Sequence, residues 1–144
     1  MMWILRFSFR GNTSNASVLM SKLYLNTRDE MTCVETDMIS LVKADGNYSN
    51  IYYINGREIR VTFAISKMEE ILRSQNDGRN RFVRFGRSFI LNHYYIFKIS
   101  PLKQTLILSD GGTNNMKVTL PKKLLKAYKD AILLRMERQN DNKI

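Results

Sequence analysis

Short apolar stretches, bounded by turn residues or alternating with polar residues, dominate the chain. The clearest alternation runs from 58 to 63, where Ile59, Val61 and Phe63 alternate with polar residues. A period of two predicts a strand with one buried face. The same patterns predict strands at 22–25, 31–35, 39–44, 48–54, 89–91, 95–100, 105–109 and 116–120.

Two segments show helical spacing instead. Apolar residues after the strand at 58–63 recur three and four positions apart, whereas Glu69 and Glu70 are predicted to face outward; the apolar set is Ile65, Met68, Ile71 and Leu72. The last helix is predicted to begin at Pro121, which fits a first helical turn. Its apolar stripe consists of Leu124, Leu125, Tyr128, Ala131, Ile132 and Met136.

These elements predict a mainly β fold of about eight to ten short strands, with one internal helix and one C-terminal helix. No alternation of strands and helices indicates a doubly wound sheet. Residues 11–17 have the composition of a linker. We therefore expect a poorly ordered leader at 1–21, a single domain at 22–136 and a polar tail at 137–144. Met1 and Met20 both remain candidates for the natural start.

The charge of the chain is unevenly distributed. The sequence has 23 Lys and Arg against 13 Asp and Glu, a formal net charge of +10. Nine of the 13 acids lie between 29 and 77, whereas the segment from 78 to 129 contains 11 basic residues and the single acid Asp110. A basic excess favours a polyanionic partner, either nucleic acid or an anionic membrane surface. The second half is the candidate binding half.

The segment 81–92 contains three arginines and no acid. Its last part, 89–91, has the β-branched and aromatic content of a buried strand. Arg84 and Arg87 need water or an anionic partner, because an unpaired buried charge is very costly. We expect a core strand that is entered through a cationic turn at Gly86. An arginine beside a glycine suits phosphate or guanine.

Residues for catalysis or metal binding are scarce. His93 is the single histidine and Cys33 the single cysteine, so a Cys/His metal site cannot form, and we expect no cofactor and no enzymatic activity. Cys33 is predicted to be a small buried residue in a strand and fits a reducing compartment. No apolar run approaches the length of a membrane span, and no signal peptide is evident. The expected location is the cytoplasm, without membrane insertion.

Three segments place polar or basic side chains at predicted turns or strand edges. They are Asn47, Ser49 and Asn50; Arg84, Arg87 and Ser88; and Thr119, Lys122 and Lys123. Arg, Asn, Ser and Lys can contact bases or phosphates, and a helix N-terminus near Pro121 favours anions. Each segment taken alone is explained by turn formation or a solvated helix face. Together with the depletion of acids, the three favour nucleic acid.

The same segments resemble the LytTR DNA-binding domain family. The resemblance extends from about Lys22 to Ile132 and includes 39–48, the Asn55-Gly56 turn and the helix at 66–72. It is strongest over 82–92, where the sequence is Phe-Val-Arg-Phe-Gly-Arg-Ser-Phe-Ile-Leu-Asn. The resemblance implies an elongated mainly β fold, found mostly at the end of bacterial response regulators. It also implies a transcription regulator whose loops enter successive DNA major grooves.

The resemblance also implies which residues contact double-stranded DNA. Carried over by position, the contacts are the three sets given above, with Arg87 as the best candidate for a base contact. The third set departs from the family, because Leu120-Pro121 stands where many members have an arginine; its contacts are expected to be mainly with phosphate. About 20 residues precede the resemblance, too few for a receiver domain, so a stand-alone member is expected.

Other functions and partners remain open at this stage. One alternative is a protein-interaction module whose basic surface meets an acidic partner. Another is a single-stranded nucleic acid or RNA binder, because exposed Tyr52, Tyr53 or Tyr94 could stack on bases. A second copy on repeated DNA sites and a protein regulator are further candidate partners.

Overall fold

The computed structural model describes residues 3–10, 19–75 and 81–141, and these form eleven strands and two α-helices. The strands are β1 (Trp3–Arg10), β2 (Leu19–Asn26), β3 (Met31–Glu35), β4 (Ile39–Asp45), β5 (Tyr48–Tyr53), β6 (Glu58–Val61), β7 (Phe82–Phe85), β8 (Phe89–Asn92), β9 (Ile96–Ser100), β10 (Thr105–Ser109) and β11 (Asn115–Thr119). The helices are α1 (Ile65–Ser74) and α2 (Lys122–Asp141). The predicted mainly β class with two helices is confirmed.

The chain divides into two compact units, Met1–His93 and Tyr94–Ile144. The first unit contains a three-stranded sheet in the order β1-β2-β3 and a five-stranded sheet in the order β6-β5-β4-β8-β7. Every pairing in these two sheets is antiparallel. The second unit contains a three-stranded antiparallel sheet in the order β11-β10-β9 and the helix α2.

The core of the first unit joins both of its sheets to α1. The predicted apolar face of α1 is confirmed, since its four residues are all buried. They pack in one cluster with residues of β2, β3, β4, β5 and β8, among them Leu23, Val34, Val42, Ile51 and Ile90. Burial of each such side chain contributes roughly 1.5–3 kcal/mol. The Glu35 N–H also donates to the Tyr53 hydroxyl at 2.9 Å, which links the two sheets directly.

The second unit has a smaller described core. Leu106 and Leu108 of β10, Leu120 and Leu125 are each at most 1 % exposed. The Leu120 N–H donates to the Gln104 carbonyl at 3.1 Å, and this bond fixes the chain just before α2 begins. Asp110 lies in the loop that joins β10 to β11. Hydrogen bonds from Asn114 and from the Gly112 N–H lower the pKa of its carboxyl group. The start of α2 is therefore set by the sheet that precedes it.

Strands β1 and β7 lie where the sequence predicted no strand. Residues 3–10, in the predicted leader, form β1 and pair with β2 from Trp3↔Asn26 to Arg10↔Leu19. The alternation of Leu5, Phe7 and Phe9 with polar residues is the signal for this strand. The linker predicted at 11–17 lies outside the described residues. The division into leader, domain and tail stays a prediction, and α2 extends to Asp141, past the predicted start of the tail.

The predicted burial of Cys33 was wrong. Cys33 lies in β3 as expected, but its side chain is exposed, because Val34 takes the core face and the pleat turns Cys33 outward. The apolar stripe of α2 is only partly covered. Of its six residues only Leu125 is buried, and Met136 is 54 % exposed.

Candidate nucleic-acid interface

The register of β4 against β8 places two turns at the same end of the five-stranded sheet. The last opposed pair is Lys43↔Phe89, and beyond it the Ala44 N–H donates to the Ser88 carbonyl at 2.8 Å. β4 leads directly into the turn at 46–47, and β8 follows directly from the turn at 86–88. The two segments are distant in sequence but neighbours in the fold. We call this part of the first unit, residues 43–50, 60 and 84–89, the turn end.

The turn at 86–88 is a three-residue connection between β7 and β8. Phe85 and Phe89 are opposed, so Gly86, Arg87 and Ser88 make the connection. Gly86 has a φ of 62°, in the left-handed region that glycine adopts without a steric penalty. Arg84 lies in β7 rather than in the predicted cationic turn. Of the two arginines assigned to the turn, only Arg87 therefore lies in it.

The guanidinium of Arg84 is committed to this turn and to α1. Its Nε donates to the Gly86 carbonyl at 3.2 Å, and its Nη2 donates to the Arg87 carbonyl at 2.8 Å. Its Nη1 donates to Glu69 Oε1 at 3.2 Å, and the Arg84 side chain is only 22 % exposed. Charge-assisted hydrogen bonds of this kind are stronger than neutral ones. Arg84 therefore holds the turn in place and has little surface left for a ligand.

The other two arginines of the segment have contrasting environments. The Arg81 guanidinium donates to the Asp37 carboxylate, and its side chain is 10 % exposed. Arg87 is exposed, and no ion pair or hydrogen bond of its guanidinium occurs within the described residues. Its backbone carbonyl is held by Arg84. Arg87 thus combines a fixed backbone with a free side chain.

The first predicted set is divided by the pleat of β5. Asn47 is exposed in the turn, where Gly46 has a φ of 61°. Ser49 is 0 % exposed, and its hydroxyl donates to the Phe63 carbonyl at 2.7 Å. The prediction that Ser49 contacts a ligand is therefore not compatible with this geometry: Ser49 shares the core face of β5 with Ile51. Asn50 lies on the opposite face and is half-buried.

Asn50 stands in a row of polar side chains across the sheet. Antiparallel pairing opposes it to Lys43 on one side and to Arg60 on the other, and opposed residues share a face. Within the described structure the Asn50 Oδ1 is buried and has no hydrogen-bond partner. Arg60 is also fixed at this end, with its Nη1 2.8 Å from Asp45 Oδ2 and its Cζ 4.6 Å from the ring centroid of Tyr48.

Lys43 and Arg60 were missed by the sequence prediction. The signal for Lys43 was present, because a two-residue turn at 46–47 opposes Asp45 to Tyr48 and hence Lys43 to Asn50. Arg60 depends on the register of β5 against β6, in which Asn50 opposes Arg60. The Asp45 carboxylate partly neutralises Arg60. Lys43 is exposed and adds a cation to the turn end.

The third predicted set belongs to the second unit. Thr119, Lys122 and Lys123 are all exposed, and Lys122 is the first residue of α2. The Leu125 N–H donates to the Pro121 carbonyl at 3.1 Å, which closes the first turn of the helix. These side chains are open to solvent, so they are available to a ligand. The structure thus groups the first two sets in one unit and the third in the other.

Other kinds of site find no support in the described ranges. No group of three or more His, Cys, Asp or Glu residues there is placed to hold a metal ion. No helix among those residues has the length and apolarity needed to cross a membrane. The arrangement offers exposed cations and amides on a fixed backbone, which is suited to recognition of an anionic surface.

Comparison with known proteins identifies a family. The model of the LytTr DNA-binding domain matches residues 29–133. A solved structure with a similar fold is the LytTr DNA-binding domain of a protein described as a methyl-accepting/DNA response regulator from Bacillus cereus. The two chains are 19 % identical, with a TM-score of 0.50, and the match covers 77 % of this chain and 95 % of the other. No curated protein matches the sequence.

Proposed function

The chain belongs to the LytTR DNA-binding domain family, and from this premise we propose that it binds specific sequences in double-stranded DNA to regulate bacterial transcription. The family is one of DNA-binding domains and not of enzymes. The observation that carries the proposal is the turn at 86–88, where Arg84 fixes the backbone and leaves the Arg87 guanidinium exposed. Because the Arg87 backbone is already fixed, binding has to order only its side chain.

In this proposal the turn at 86–88 enters a major groove with Arg87 as its base contact. Arginine can bond the O6 and N7 atoms of guanine with both arms of its guanidinium. Asn47 and Ser88, exposed beside it, contact bases or phosphates, and Asn50 and Lys43 lie behind them on the outer face of the sheet. We remove Ser49 from the contact set because its hydroxyl is buried. We assign Arg84 to holding the turn.

The contacts proposed for the second unit are with phosphate. Lys122 and Lys123 are exposed point charges at the start of α2, and Thr119 precedes them. A lysine there adds affinity without sequence information, because phosphates are the same at every base pair. We propose that this set enters or borders a second groove of the same duplex. The cytoplasm, where bacterial DNA lies, is the proposed location, and a second copy on repeated sites or a protein regulator are proposed partners.

The test is selection of bound sequences from a library of random duplexes. The expected result is one enriched motif that contains a guanine at the position contacted by Arg87. Repetition of the motif at a fixed spacing would indicate binding by two copies. Recovery of sequences without any enrichment would contradict sequence-specific binding. Absence of duplex binding at low salt would contradict DNA binding altogether.

One observation favours single-strand binding as a second candidate. Tyr94 is 65 % exposed and Phe97 is 70 % exposed, and exposed aromatic rings can stack on unpaired bases. Tyr53, at 7 % exposure, is excluded from this role. Competition separates the two functions. The protein is bound to the labelled selected duplex, and unlabelled single strand or unlabelled duplex is added as competitor. If the single strand displaces the labelled duplex at the same concentration as the unlabelled duplex does, single-strand binding is favoured.

A further inference from the structure

A groove of about 490 Å³ in the second unit is lined by four lysines. Lys122, Lys126 and Lys129 line it from α2, and Lys103 lines it from the turn between β9 and β10. We call this feature the lysine groove. Three of its four lysines lie outside every set derived above, so the proposed DNA contacts leave most of the groove unexplained.

The helical part of the lysine groove is one continuous cationic face. Residues three and four positions apart are neighbours on a helix, so Lys122, Lys126 and Lys129 stand in one row along α2. Seven residues of helix span roughly 10 Å. Phosphates of one DNA strand recur about every 3.4 Å along the duplex axis. The row is therefore long enough to follow roughly two or three successive phosphates.

The positive charge of the groove is only partly balanced by the protein. Asp130 is the one acidic residue in its lining. In the described part of the chain, none of the four lysines takes part in an ion pair. Like charges at helical spacing repel one another. An anionic occupant would remove this repulsion, which a solvated helix face without a ligand would retain.

We propose that the lysine groove holds the phosphodiester backbone of the duplex next to the phosphate contact made by Lys122. This inference rests on the proposed function, and it assigns a phosphate-binding role to Lys103, Lys126 and Lys129. Three features favour a DNA strand as the occupant. The groove is continuous with Lys122, and its lysines are point charges suited to phosphate without sequence selection. Leu102, 84 % exposed in the lining, offers an apolar contact for deoxyribose.

The test compares two triple variants that remove the same charge. The groove variant carries Lys103→Gln, Lys126→Gln and Lys129→Gln. The control variant carries Arg28→Gln, Arg57→Gln and Lys67→Gln, which change three basic residues of the first unit outside the proposed contacts. Affinity for the selected duplex is measured over a range of salt concentrations, and circular dichroism establishes that each variant is folded. All six positions are at least partly solvent-accessible, so the substitutions leave the core intact.

The expected result is a smaller salt dependence for the groove variant alone. The slope of log affinity against log salt should fall by about 0.9 for each lysine that contacts a phosphate. The control variant should keep the slope of the unchanged protein. Both variants should keep the ratio of affinities for selected and random duplexes, since phosphate contacts carry no sequence information.

Two results would overturn the inference. One of them leaves the proposed function intact, and the other overturns the proposed function as well. If the unchanged protein binds the selected duplex and the two variants have the same slope, DNA does not occupy the groove, while the proposed function stands. An acidic protein segment in the groove would give this result. If the unchanged protein binds no duplex, the proposed function and the groove assignment fail together.

Discussion

At the scale of single residues, the three arginines of the segment 81–92 differ in whether their guanidinium groups are already bonded within the protein. Arg81 is paired with Asp37, and Arg84 is bonded to Glu69 and to two carbonyls of the turn. Arg87 alone is exposed with an uncommitted guanidinium among the described contacts. Function at this site is therefore assigned by contacts rather than by residue type.

Arg87→Ala should weaken binding to the selected duplex by roughly 1–3 kcal/mol more than binding to a random duplex. The reason is that a bidentate contact to guanine distinguishes one base from the others by that amount. Affinities for both duplexes are measured at one salt concentration. Arg28→Ala serves as the control, because Arg28 is an exposed arginine in the turn between β2 and β3. Equal losses on both duplexes would refute the base contact of Arg87.

Arg84→Gln should weaken binding to the selected duplex. The slope of log affinity against log salt should stay unchanged. The substitution removes the hydrogen bonds that fix the turn, so Arg87 loses its position, but it removes no phosphate contact. Glu69→Ala should act in the same direction through Arg84, which Glu69 Oε1 holds at 3.2 Å. Glu70→Ala, next to it on α1 and paired with Lys67 at 3.6 Å, is the control. A slope lowered by about 0.9 in Arg84→Gln would show instead that Arg84 contacts phosphate.

At the scale of elements, the turn end depends on the pairing of β4 with β8 and on the support of that sheet by α1. Asn92, the last residue of β8, is 1 % exposed, and its Nδ2 donates to the Ile39 carbonyl at 2.9 Å. The side chain thereby continues the link between β8 and β4 beyond their backbone pairs. α1 carries Glu69 on the side facing Arg84 and buries Met68 in the core. Recognition residues and core residues are thus placed by the same helix.

Met68→Ala should lower the free energy of unfolding by about 2–5 kcal/mol. Met68 is 0 % exposed, so its truncation leaves a cavity between α1 and the sheets. Denaturant unfolding measures the change. Ser66→Ala, at an exposed position of the same helix, should change stability by less than about 0.5 kcal/mol. Losses of similar size in the two variants would contradict the proposed packing of α1.

At the scale of the whole molecule, the basic excess is shared by both units but used differently in each. In the first unit, acids neutralise several arginines, as Asp45 does for Arg60 and Glu69 does for Arg84. In the second unit, the lysines of α2 and of the turn before β10 have no ion pairs among the described residues. We therefore expect base recognition to depend mainly on the first unit and salt-sensitive affinity on the second.

Lys122→Ala should weaken binding to the selected and to the random duplex by similar factors. It should also lower the slope of log affinity against log salt by about 0.9. Its exposed ammonium is proposed to contact a phosphate, which every sequence provides. Lys67→Ala is the control, since Lys67 lies on α1 and is paired with Glu70. The measurement is a salt titration with each duplex. A loss confined to the selected duplex would mean that Lys122 contacts a base.

The sequence by itself determined the mainly β class, the two helices and the positions of most strands. Alternation and helical spacing depend on local geometry, so Ile65, Met68, Ile71 and Leu72 could be assigned to the core face of α1 without a structure. The two turns at 46–47 and 86–88 were likewise predicted from glycine and its neighbours. The segment 81–92, with cations and no acid, marked Arg84 and Arg87 as candidates for an anionic partner, whereas the base contact of Arg87 is implied by the family resemblance and stays a prediction.

Only the tertiary structure decided which of the candidate residues remain available. Ser49 and Asn50 are equivalent in composition arguments, but the Ser49 hydroxyl is buried in a hydrogen bond to the Phe63 carbonyl, whereas pairing with β4 and β6 opposes Asn50 to Lys43 and Arg60. Arg84 differs from Arg87 because its guanidinium is bonded to Glu69. Glu69 lies on α1, and no local sequence pattern indicates that it is close to Arg84. The lysine groove likewise joins a turn to a distant helix. Local patterns fix which face a residue takes, whereas contacts between distant segments fix what that residue can still bind.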